Sequence, residues 1–212
     1  MIAWHRLARL IALAAALLAV SPARAEVVLG FWSRDFGSYF PHAFITVKGT
    51  VDSTGEVVDT SWGFTLNSLS PKALFGSVKA HMDVTAKTYM RASDVHFTVR
   101  LSDAQYLAIK RQAAEWGAPG SRWNLNKRNC VHFVAEAARR AGLTVVEDRK
   151  LMKKPKSFTR SLVPLNPGRV TLVELKGAEW FAREPGAEVF GVPEKVNGSV
   201  LQSEVPGGVR RD

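Results

Sequence analysis

The sequence predicts an α+β fold with an antiparallel sheet packed against helices. Two observations carry that reading. Between Val27 and Leu101 the chain runs through short, alternating, β-branched and aromatic segments separated by turns. Between Ser102 and Gly142 it changes to helical spacing, with capping residues at both starts. A third observation gives the helical part its interest: Cys130 is the only cysteine, and it opens the second helix.

Val27–Phe31 is short and apolar, a first strand. "HAFITVKG", from His42 to Gly49, alternates and reads as the next. The Asp52-Ser53-Thr54-Gly55 turn makes a hairpin with a strand around Glu56 to Trp62. "DVTAKTYM" and "DVHFTVRL" are two further expected strands, the latter with Val95, Phe97, Val99 and Leu101 on one face. On this reading His96 lies on the polar side, in solvent. Ser102 and Gln105 form a capping box for a helix that Gly117 closes. The loop "APGSRWNLNKR" follows, and Asn129 caps a helix that ends at Gly142. The stretch after Leu143 has scattered Pro and Gly with a strand at Arg169–Leu175. The tail from Asn197 reads as loosely ordered.

The first 25 residues have the form of a cleavable secretory leader. Arg6 and Arg9 precede an apolar run from Leu10 to Val20, and Ala23-Arg24-Ala25 ends it. That run is shorter than the roughly 20 residues a membrane span needs. The expected organisation is a leader at 1–25, a catalytic domain at 26–145 and an extension at 146–212, disordered in part at its end. Cleavage lowers the net charge from +10 to about +7 and implies a periplasmic or secreted protein. Such a basic chain is expected to make peripheral contact with anionic envelope material. The run Arg149, Lys150, Lys153, Lys154 and Lys156 reads as a solvated loop. No nucleic-acid reading motif is present, so nucleic acid is not expected as a partner.

A secreted chain with one cysteine cannot close an internal disulfide, so the thiol needs another explanation. At the first residue of a helix, the dipole and free amides favour a thiolate. Cys130 is therefore the candidate nucleophile. Helical spacing lines it up with Phe133, Val134 and Ala137 on the inward face, whereas His132 projects elsewhere with Glu136 and Arg139. The base must come from another element. His81 stands in a segment without a pattern, and His96 reads as exposed. His42, after Pro41 at the start of a strong strand, is placed to meet a helix end. A third group normally orients the imidazole. Asp59, Thr60 and Ser61 on the adjoining strand are the candidates, with Asp59 preferred because a carboxylate also stabilises the imidazolium. No His-x-x-x-His, Cys-x-x-Cys or Gly-rich phosphate loop occurs, so neither a metal nor another cofactor is expected.

"NCVHFVAEAARRAGL" is similar to the Asn-Cys-Glu-His-Phe-Val motif of the lecithin retinol acyltransferase and H-rev107-like proteins, circularly permuted members of the NlpC/P60 papain-like superfamily. "HAFITVKG" resembles their strand-borne histidine motif, with His42 and Gly49 at the matching positions, and the order His42 before Cys130 matches the permutation. The resemblance covers roughly His42 to Gly142. It implies a papain-like fold, Cys130 as nucleophile and His42 as general base. The family's further histidine falls near "VVDTSW", which has none here, and Val131 stands where the family has glutamate.

The expected function is that of an exported cysteine hydrolase or acyltransferase. It would be monomeric and act through a thioester on cell-wall peptide or amide bonds, or on lipid acyl bonds. The alternatives are a catalytically silent module on the same fold, binding an envelope ligand or a protein, and a dimer joined through Cys130.

Overall fold

The computed structural model describes residues 27–35 and 41–183. The expected leader and the tail from Asn197 lie outside them. Seven strands form one antiparallel sheet in the order β6-β4-β3-β2-β1-β5-β7. The strands are β1 (Val27–Arg34), β2 (His42–Thr50), β3 (Val57–Leu66), β4 (Ser77–Asp83), β5 (Asp94–Leu101), β6 (Arg122–Asn124) and β7 (Thr171–Lys176). The helices are α1 (Lys72–Phe75), α2 (Lys87–Arg91), α3 (Asp103–Gly117), α4 (Cys130–Arg140), α5 (Pro155–Ser161) and α6 (Gly177–Arg183).

Alternation along β2 sends side chains to two different cores. Ala43, Ile45 and Val47 join the main core, where Phe133, Val134 and Ala137 of α4 and Phe158 of α5 cover the sheet. Phe44 joins a smaller cluster with Trp32, Met90, Val95 and Phe181. The chain is thus a sheet with a thick helical layer on one face and two short helices on the other.

The strand expected over 83–90 is divided. β4 ends at Asp83, and Lys87–Arg91 turns into α2, which buries Met90. Spacing decides this, because a helical turn brings Met90 and Tyr89 together against the smaller cluster. His96 is also misplaced by simple alternation. The pairing shifts between Val95 and Phe97, so Val95 faces the smaller cluster while Phe97 faces the main core. His96, at this irregularity, is fully buried. Its Nε2 lies 2.8 Å from Ser33 Oγ and its Nδ1 3.1 Å from Glu174 of β7.

The described part of the segment read as an extension, up to residue 183, packs on the same sheet. β7 pairs with β5, and Phe158 and Leu162 sit in the main core. Lys156, expected in a solvated loop, makes an ion pair with Asp94 at 2.9 Å. Among the described residues no helix is long and apolar enough to cross a membrane.

Candidate functional site

Cys130 is held by the start of α4. Asn129 caps that helix from a buried position, its side-chain oxygen accepting from the amides of Val131 at 2.8 Å and His132 at 3.1 Å. Its side-chain nitrogen donates to the carbonyls of Leu125 and Met152, both at 2.8 Å, which fixes the cap to the preceding loop and to the chain before α5. His132 is tied to the same cap, with Nδ1 2.9 Å from the Asn129 side-chain oxygen. It is not turned toward the sulfur.

Cys130 is 5% exposed and belongs to the main core. The backbone amides of Ala43, Val131 and Cys130 itself face the sulfur and favour its anion, but burial outweighs them and pushes the thiol up to about 11. The expectation that the helix end alone yields a resting thiolate is corrected: at neutral pH the sulfur carries its proton. Dehydration of a nearly enclosed sulfur costs more than the amides return.

His42 opens β2 and is the residue before Ala43, so the two motifs meet at one place. Its ring, however, lies along Phe44 with centroids 6.0 Å apart and edge-on to Tyr89 at 6.4 Å. It therefore leans toward the smaller cluster, whereas Cys130 reaches β2 from the α4 side, and no hydrogen bond joins the two side chains. Burial first, then His81, lowers the His42 pKa to about 4, so the imidazole is neutral. Its Nε2 is buried and lacks a partner among the described residues.

That unpartnered nitrogen lies over Gly63, where an added Cβ would come within 2.6 Å of it. The bare backbone of Gly63 makes the seat for the ring. Gly63 stands opposite Asp83 of β4, and Thr65 opposite His81. Antiparallel partners share a face, so β4 delivers Asp83 and His81 to the side of the sheet that holds His42. Burial raises the Asp83 carboxyl and His81 partly counters it. His81 is also fixed, with Nδ1 2.9 Å from the Asn67 side-chain oxygen. The sequence reading set His81 aside for want of a pattern in "VKAHMDV" and began a different strand at Asp83, so β4 itself went unrecognised. Its alternation of Val78, Ala80 and Met82 was the available signal.

The expected orienting residues do not reach the imidazole. Asp59 stands opposite Lys48, at the far end of β2 from His42. Ser61 is committed to accepting from the Thr85 amide at 2.8 Å, and Thr60 opposes Val47. Asp59 belongs on the same face of β3 as Gly63 and therefore as the ring, but distance along the strand separates them.

Asp59 has its own consequence. One carboxyl oxygen is buried without a partner, and burial raises its pKa to about 6 against the pull of Lys48 and Lys87. A raised folded-state carboxyl binds more protons than the unfolded chain between its ordinary value and about 6, so stability falls as pH rises through that window. Asp59→Asn is expected to stabilise the protein at pH 8 by about 1 kcal/mol, allowing for screening at a partly exposed site, and to leave it unchanged near pH 3. Urea unfolding of both proteins at the two pH values checks this.

Compared with family models, curated proteins and solved structures, the chain matches none. The α+β class with an antiparallel sheet and helices stands on the fold itself.

Proposed function

We propose that the chain is a cysteine hydrolase or acyltransferase of papain-like kind, acting through a thioester on Cys130 with His42 as general base. The single observation carrying this reading is the convergence of backbone amides on the Cys130 sulfur, one of them from the residue that follows His42. Those donors would hold negative charge on sulfur as it forms. The Asn129 side chain takes the amides of Val131 and His132, so of the three that face the sulfur the amides of Ala43 and Cys130 are the ones outside the cap.

The resting pair is neutral thiol and neutral imidazole. Reaction on this reading begins when substrate displaces the His42 ring from its seat over Gly63 toward the sulfur. The imidazole then takes the thiol proton as sulfur attacks the carbonyl carbon, and returns it to the leaving group. Water or an acceptor nucleophile releases the acyl group. We assign Asp83, rather than Asp59, to the far side of the imidazole, because it stands opposite Gly63 in the register. An exported location and an envelope peptide, amide or acyl substrate remain part of the proposal, supported by the leader-like first 25 residues.

The test is acyl transfer from an activated ester to the folded chain at pH 7.5, followed by mass spectrometry. One acyl adduct on Cys130 is expected, formed about 10²–10⁴-fold more slowly in His42→Ala. Asp83→Asn should shift the pH profile of acylation and leave the thermal midpoint nearly unchanged. Equal acylation with and without His42 would remove the base assignment. A second reading, a silent binding module, is favoured by the absence of a hydrogen bond between His42 and Cys130. It requires no acylation of the folded chain at all.

A further inference from the structure

At the β6 edge of the sheet, the connection from β3 to β4 raises an apolar crest. Leu69, Leu74 and Phe75 are 68%, 53% and 91% exposed. Behind them an open groove of about 350 Å³ is lined by Leu66, Leu69, Ala73, Leu74 and Trp123. Isolated exposed leucines are ordinary, but a contiguous patch of this kind marks a contact surface.

The charge around the crest has one sign. The sequence holds no acidic residue between Asp59 and Asp83, and none between Glu115 and Glu136. Those two stretches supply α1, β4, β6 and the loop into α4. They carry Lys72, Lys79, Arg122 and Lys127, all exposed. Lys79 and Arg122 stand opposite each other in the β4–β6 ladder. Arg122 also donates to the Ser77 carbonyl at 2.5 Å, which anchors the edge beneath the crest.

We propose that this crest docks the protein on an anionic lipid surface. Phe75, Leu74 and Leu69 enter the boundary between headgroups and acyl chains, and the lysines and Arg122 meet the lipid phosphates. The pattern is that of a peripheral contact, with apolar tips surrounded by long cationic side chains that keep their heads at the headgroup level. A soluble apolar ligand would fill the groove but give no role to Phe75, which stands outside it. The docking surface is independent of the thioester chemistry proposed for Cys130, so either can fail without the other.

The experiment is flotation of the chain, purified after export, with vesicles of phosphatidylglycerol and phosphatidylcholine, and with phosphatidylcholine alone. The parent should float with the anionic vesicles, little with the neutral ones, and lose binding at high salt. Leu74→Glu with Phe75→Glu should lower partitioning about tenfold or more, as should Lys72→Glu with Lys79→Glu. Cys130→Ala and Lys150→Glu, away from the crest, should bind as the parent does. All the crest positions changed are exposed, and circular dichroism confirms that the variants fold. Failure of the parent to float with anionic vesicles would overturn the proposal. So would equal binding to both vesicle types, undiminished binding by both crest variants, or an equal loss in Lys150→Glu.

Discussion

Gly177→Ala should destabilise the protein more than any other single methyl addition at the glycines that meet packed backbone, by about 3–5 kcal/mol. A Cβ there would lie 1.9 Å from the backbone oxygen of Met90 and 3.0 Å from the Trp32 ring. Backbone faces backbone, so no rotamer change relieves the clash. The Gly177 amide also donates to the Ser93 carbonyl at 2.8 Å, and this contact seats α6 on the end of β5. Moving α6 away would uncover Phe181, which is 4% exposed and closes the smaller cluster. Chemical denaturation followed by tryptophan fluorescence measures the loss. A Gly177→Ala protein with an unchanged midpoint would show that α6 is not seated as described.

Removing the nucleophile should lower acyl transfer by about 10³-fold or more, and removing the base by a comparable factor, but the two losses should not multiply. Cys130→Ala, His42→Ala and the double variant are compared in single-turnover acylation or in hydrolysis of the same ester. If Cys130 and His42 act as one unit, the double variant falls no further than Cys130→Ala. Independent losses would mean that His42 serves the fold or the substrate rather than the sulfur. Cys130→Ala removes only a small group from a well-covered site, so its stability loss should be modest. His42→Ala leaves a space against Phe44 and Tyr89 and needs the control of a stability measurement.

Much of the framework was legible because local chemistry determined it. The capping box of Ser102 with Gln105 is formed as the sequence indicated, and Asn129 caps its helix as expected, with His132 as a partner that the sequence reading had not named. β2 and β3 follow from their alternation and the turn at Asp52–Gly55. What escaped was set by pairing between distant strands. His96 looked exposed until β7, far along the chain, arrived to bury it. Asp59 looked close to His42 because alternation reports the face and is silent about the position along a strand. Asp83 could be found only from the β3–β4 register, which depends on where β4 begins. The thiol was read from the helix end alone, without the weight of the side chains that enclose it.

The polar chain across the sheet, from Ser33 through His96 to Glu174 and on to Arg160, bears on how the protein is made. Its members come from β1, β5, β7 and α5, so the Ser33–His96 link can close early, but the two links to Glu174 wait until residue 174 has left the ribosome. An incomplete chain would have to bury an imidazole without its carboxylate or leave β5 open to water. The last step in sealing that imidazole therefore belongs to the end of the described chain, after β1 and β5 are already made.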